Sequence, residues 1–130
     1  MKSMISVIKD KPDYVGSNGR NESAIAQAEK SLNNHFAADY REYLLEVGLA
    51  SFDGHELTGI CNSKRLNVVD VTLAERSITP GIPQNWYVLE EANIDGIVIW
   101  QNSIGEIFQT QPGRETIKLA DSICDYLDLT

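Results

Sequence analysis

Apolar positions change rhythm just before the middle of this chain, from spacings of three and four residues to short runs dense in β-branched and aromatic side chains. Met4, Ile5 and Ile8 fall at helical spacing and predict a short helix over residues 2–9. It ends at KDKPD, where Pro12 disfavours helix at Lys11. The stretch GSNGRNES reads as a loop whose Asn21 can cap a second helix, running from about Glu22 to Asn33. Ile25, Ala28 and Leu32 line one face of it, and Glu29 falls on the same side. ADYREYLLEVG predicts a third helix, with Tyr40, Tyr43, Leu44 and Val47 on its apolar stripe and Gly48 as the left-handed stop. The short NHF joint makes these two helices a hairpin, mainly packed in the core, with some tyrosine hydroxyls at a wet edge.

Beyond Gly48 the pattern predicts strands in LASFDG and HELTGI, then a polar CNSKR and a short helix over about 68–76. ITPGIPQN is a loop, because Pro80 and Pro83 cannot donate to a sheet ladder. WYVLEE, GIVIWQ and EIFQT follow at close spacing, separated by ANID and NSIG, and predict an antiparallel meander. In GIVIWQ both alternating sets are apolar, so this strand should be central and covered on both faces, or else expose an aromatic patch on one. In the closing QPGRETIKLADSICDYLDL, Asp121 or Ser122 can cap a last helix that turns Ile123, Tyr126 and Leu127 inward and Asp125 and Asp128 outward.

The 130 residues suit one domain spanning 1–130, and the mix of 42% hydrophobic and 23% charged residues is that of a globular chain. The apolar run MISVI is too short for a membrane span and lacks a secretory cleavage site, so a cytoplasmic protein is expected, with Cys61 and Cys124 reduced. Formal charge is −8. From Asp70 onward ten acids stand against Arg76, Arg114 and Lys118, which leaves −7 in that half. Such a field repels nucleic acid and anionic membrane and steers a basic partner inward.

Catalytic machinery is sparse. His35 and His55 have no Cys, Asp or Glu at metal-ligand spacing, and no phosphate-binding loop, dinucleotide fingerprint or nucleophile elbow occurs, so neither metal nor cofactor is expected. Glu90 and Glu91 are adjacent in a strand and diverge to opposite faces rather than forming a dyad. Glu29 reads as a half-buried acid accepting from backbone N–H groups at the start of the next helix. A hydrolase would need Glu29 or Glu56 joined with His35 or His55 in an open pocket.

The run SAIAQAEKSLNNHFAADYREYLLEVG, then GHELTGI, WYVLEE, DGIVIWQNSIGEIFQ and DSICDYL, resembles the SUKH superfamily, named partly for the fungal Smi/Knr cell-wall regulator. The likeness rests on Ile25, Glu29, Leu32, Tyr40, Leu44 and Gly48, and on Gly54, Glu56, Leu57, Gly59, Trp86, Gly96, Gly105 and Tyr126, over about residues 21–127. One departure is Phe36–Ala37 where the family usually opens the helix with Leu-Pro; another is Val47 where it prefers Asn. The resemblance implies an α+β fold: an antiparallel sheet flanked by the N-terminal helical hairpin and the C-terminal helix, with Glu29, Gly48 and Trp86 as structural motif residues. It further implies a non-enzymatic immunity protein that neutralises a cognate toxin, often a nuclease, with a general interaction scaffold as the alternative. Joined to the charge pattern, it makes Glu90, Glu91, Asp95, Glu106, Asp125 and Asp128 candidate toxin-binding acids and Tyr87 and Trp100 candidate aromatic anchors.

Overall fold

A computed structural model describes residues 3–129. Its helices are α1 (Met4–Lys9), α2 (Glu22–Leu32), α3 (Ala38–Glu46), α4 (Val68–Ile78) and α5 (Ile123–Leu127). Its strands are β1 (Val15–Gly16), β2 (Ala50–Phe52), β3 (His55–Glu56), β4 (Trp86–Glu91), β5 (Val98–Asn102), β6 (Ile107–Thr110) and β7 (Ile117–Ala120). The fold is α+β, with an antiparallel four-stranded sheet in the order β4-β5-β6-β7 and a three-stranded one, β1-β2-β3. A bridge between Leu57 and Glu90 joins them, supported by the Thr58 N–H donating to the Leu89 carbonyl at 2.8 Å.

The helices begin where local chemistry places them. Asn21 Oδ1 accepts from the Ala24 N–H at 2.8 Å, and Ser122 Oγ from the Asp125 N–H at 3.1 Å, so α2 and α5 each gain a partner for an otherwise orphaned donor. Ile25, Ala28 and Leu32 of α2 and Tyr40, Tyr43 and Leu44 of α3 are all buried, as the periodicity requires. Both tyrosines are fully inside, so no part of this stripe is a wet edge. Glu29 does what its position predicts: Oε2 accepts from the Phe36 N–H at 2.8 Å, ahead of α3, and Oε1 meets Arg41 at 3.3 Å.

α3 opens on Ala37, whose N–H donates to the Tyr87 hydroxyl at 2.9 Å. A proline there would have no N–H to give. Tyr87 in turn donates to Gln101 Oε1 at 2.6 Å, and Gln101 Nε2 donates to Asp39 Oδ1 at 2.9 Å. Asp39 Oδ2 accepts from the Ile123 N–H at 3.0 Å, so one buried chain of polar groups ties α3, β4, β5 and α5 together.

β5 is the central strand expected, buried along its whole length and paired on both sides. One face packs on the main core of helices; the other forms a second cluster of Trp86, Val88, Val98 and Trp100 with Val71 of α4. Trp86 stacks on Phe108 at 4.1 Å between ring centroids, and Trp100 donates from Nε1 to Thr110 Oγ1 at 2.8 Å. The strand β7 and the separate small sheet were not predicted.

Candidate functional site

A groove of about 610 Å³ opens between the C-terminal end of α4 with the loop after it and the loops 92–97 and 111–116 beyond the strand ends. Trp86, Ile78 and Ile82 give it apolar walls, and Glu75, Glu91 and Arg114 are the charged residues that line it. Glu75, from α4, and Glu91, from β4, lie close enough for their carboxyls to interact. Burial, with the hydrogen bond to Glu91 second, pushes the Glu75 carboxyl up to about 7.

Glu91 and Asn93 also line a shallower depression of about 340 Å³, bordered by Asp13, Asp53, His55, Glu56 and Glu90. The β4 terminus thus forms a ridge between two hollows, with carboxylates from both halves of the chain around it. His55 and Glu56 do share this second hollow, the arrangement a hydrolase would need. Both are engaged, however: Glu56 grips Arg65 at 2.6 and 3.1 Å, and His55 Nδ1 lies 2.9 Å from Glu90 Oε1. The Arg65 hydrogen bond holds Glu56 below the usual carboxylate range.

The sequence-derived candidates separate in space. Glu90 and Glu91 diverge across the sheet as alternation dictates, but Glu90 points into the protein, 5% exposed, where its Oε1 accepts from the Tyr126 hydroxyl at 2.7 Å and faces His55. Glu90 is therefore a structural acid tying α5 to β4 and β3 rather than a surface group. Tyr87 and Trp100 have no exposed surface, and hydrogen bonding within the core accounts for their polar atoms, so as folded neither reaches a partner. Trp86 is 8% exposed and is the aromatic that lines the groove.

Glu106 is partly neutralised: Lys118 Nζ lies 2.7 Å from it and equally close to Asp121, and Asn102 donates to it at 2.9 Å. The lysine bond, then the amide bond, hold its carboxyl below the ordinary range. Asp95 is exposed at the tip of the 92–97 loop. Asp125 and Asp128 are exposed on α5, where with Asp39 and Glu42 they add a negative field around Cys124, whose thiol burial and then these charges push up. Sequence reasoning missed Glu75, which carries no local signal because its partner lies on another element sixteen positions away.

Among the described residues no helix is long and apolar enough to cross a membrane, and no group of three or more His, Cys, Asp or Glu side chains could hold a metal ion. Geometry therefore defines an α+β domain whose distinctive surface is a pair of hollows rimmed with acids around one strand end. A family model described as SMI1-KNR4 cell-wall matches residues 1–128, and the chain belongs to that family, within the SUKH superfamily. No curated protein sequence matches the chain. The SUKH family is generally one of non-enzymatic, immunity-type domains, and it points to a protein as partner.

Proposed function

We propose that this chain is a cytoplasmic, non-enzymatic immunity protein that binds a cognate toxin with a basic, nuclease-type domain and covers its active or substrate-binding surface. The observation that carries this reading is the placement of Asp13, Asp53, Glu56, Glu75 and Glu91 around the two adjoining hollows at the end of β4. A nuclease holds a polyanion in a cationic cleft, and a rigid surface of fixed carboxylates can compete for the same cleft. Asp95, Asp125 and Asp128 add to the long-range attraction from outside the hollows. Arg65 and Arg114, at the edges, offer donors that fix register once the surfaces meet.

Co-expression with the toxin domain encoded beside it tests this directly. Growth should be rescued and a complex should co-purify. Its association rate should fall steeply as salt rises, and by about tenfold or more in a Glu91→Lys, Asp53→Lys variant that keeps the native fold. Absence of rescue, or an association rate indifferent to salt, contradicts the reading.

A further inference from the structure

The groove beside α4 has a chemistry more specific than general acidity. Trp86, which stacks on Phe108, lines it together with Ile78, 72% exposed, and with two interacting carboxyls from different elements, Glu75 and Glu91. Burial and the neighbouring Glu91 both disfavour the ionised form of Glu75, and a cation placed between the two carboxyls reverses that preference. A groove that combines apolar walls, two neighbouring carboxyls and an aromatic ring matches one side chain best. Arginine has a methylene stem to lie along the apolar wall, a planar guanidinium to take two carboxylates by its fork of donors, and a face that packs on indole. A lysine would supply the charge without the fork or the stacking plane.

We propose that this groove seats an arginine side chain of the protein partner, its guanidinium bridging Glu75 and Glu91 and its stem lying against Trp86. The proposal rests on the reading of the chain as a binder of a basic protein and adds where one anchoring residue of that protein goes. The charged groups facing the pair are few. Glu75 comes from α4 and Glu91 from β4; Arg114 lies on the 111–116 loop and forms no ion pair among the described residues. On the far side of the ridge stand His55, Glu56 and Glu90, and Arg65 is close enough for its charge to be felt at Glu91. Seating a guanidinium favours the ionised form of Glu75, so binding should release a proton around pH 7 and tighten as pH rises from 6 to 8. Arg114, a like charge lining the same groove, should weaken it.

The test needs no toxin. An acetylated, amidated Gly-Arg-Gly peptide is titrated into the isotope-labelled protein, beside the same peptide with norleucine and with lysine in place of arginine. The arginine peptide should shift the amides of Glu75, Glu91 and Gly96 and the indole of Trp86, with a dissociation constant of roughly a millimolar. Affinity should rise several-fold from pH 6 to 8, fall about tenfold in Glu91→Gln and in Glu75→Gln, and increase in Arg114→Ala. Lysine should bind more weakly, and norleucine not at all. Retained dispersion of the spectrum in both glutamine variants separates lost binding from lost folding. Shifts confined to the His55 hollow, equal binding of norleucine, or affinity unaltered by both glutamine variants would overturn the proposal. Toxin rescue without arginine binding would remove this anchor and leave the immunity reading standing, whereas arginine binding without rescue would do the opposite.

Discussion

Glu90→Ala is expected to destabilise the protein by about 3–5 kcal/mol, measured by urea unfolding at pH 7, because it leaves buried partners without their acid. The carboxylate is the meeting point of three elements: β4 carries it, His55 approaches from β3 and Tyr126 from α5. Removing it strands the Tyr126 hydroxyl and deprives the His55 ring of the bond that raises its affinity for a proton. The neighbouring Glu91→Gln should cost less than about 1 kcal/mol, since Glu91 is only half-buried and glutamine keeps its size and a hydrogen-bonding tip.

The same cluster makes stability depend on pH. His55 is raised above its ordinary value, first by the hydrogen bond its ring N–H donates to Glu90 and against the effect of burial. A raised basic group contributes fully below its unfolded value of about 6.5 and loses that contribution as pH climbs through its folded value. The wild-type protein should therefore lose stability from pH 6.5 upward on the alkaline side. Glu90→Ala should abolish that part of the slope.

Gly59→Ala is expected to be comparably severe, at about 3 kcal/mol or more in the same measurement, for a reason of space alone. A Cβ at Gly59 would overlap the carbonyl oxygen of Gly48, and backbone cannot move aside as a side-chain tip can. The crossing is pinned by hydrogen bonds: Ile60 N–H to the Gly48 carbonyl at 3.2 Å, Gly59 N–H to Leu66 at 2.9 Å and Val68 N–H to Gly59 at 2.8 Å. It fixes where α3 ends and where α4 begins, and so where Glu75 stands. Gly54→Ala offers the contrast. Its φ is +80° but the space around it is open, so only the left-handed backbone penalty of about 1–2 kcal/mol applies.

Much of this scaffold could be read from one sequence because it is written in local patterns. Helical spacing found α1, α2, α3 and α5, the Asn21 and Ser122 caps followed from residue type, and a strand apolar on both sides had to be either central or exposed as an aromatic patch, of which the first holds for β5. Glu29 was interpretable because its helix face named its neighbours. β7 escaped because three of its four residues, Ile117, Lys118 and Leu119, show a weak alternation at an exposed sheet edge, and the two-residue strand β1 is shorter than any period can reveal; the strand expected in HELTGI is present only as its first two residues, β3. The site was less legible for a different reason. Alternation says that Glu90 and Glu91 part company, but which of them is buried depends on Leu57 and Tyr126 arriving from elsewhere. Tyr87 and Trp100 looked like aromatic anchors on composition and are core residues once α3 and α4 cover the two faces of the sheet. The acids that gather at the end of β4 come from four separate segments, and adjacency of that kind exists only in the folded chain.

Amide hydrogen exchange on the complex with the toxin domain tests the central claim most directly, since it locates the covered surface without substituting any residue. Protection should appear at 51–56, 91–97 and 111–116, the segments that build the two hollows, while the exposed face of α2 continues to exchange as in the free protein. Unchanged exchange at those three segments, with protection concentrated on surface that lacks free carboxylates, would contradict the account.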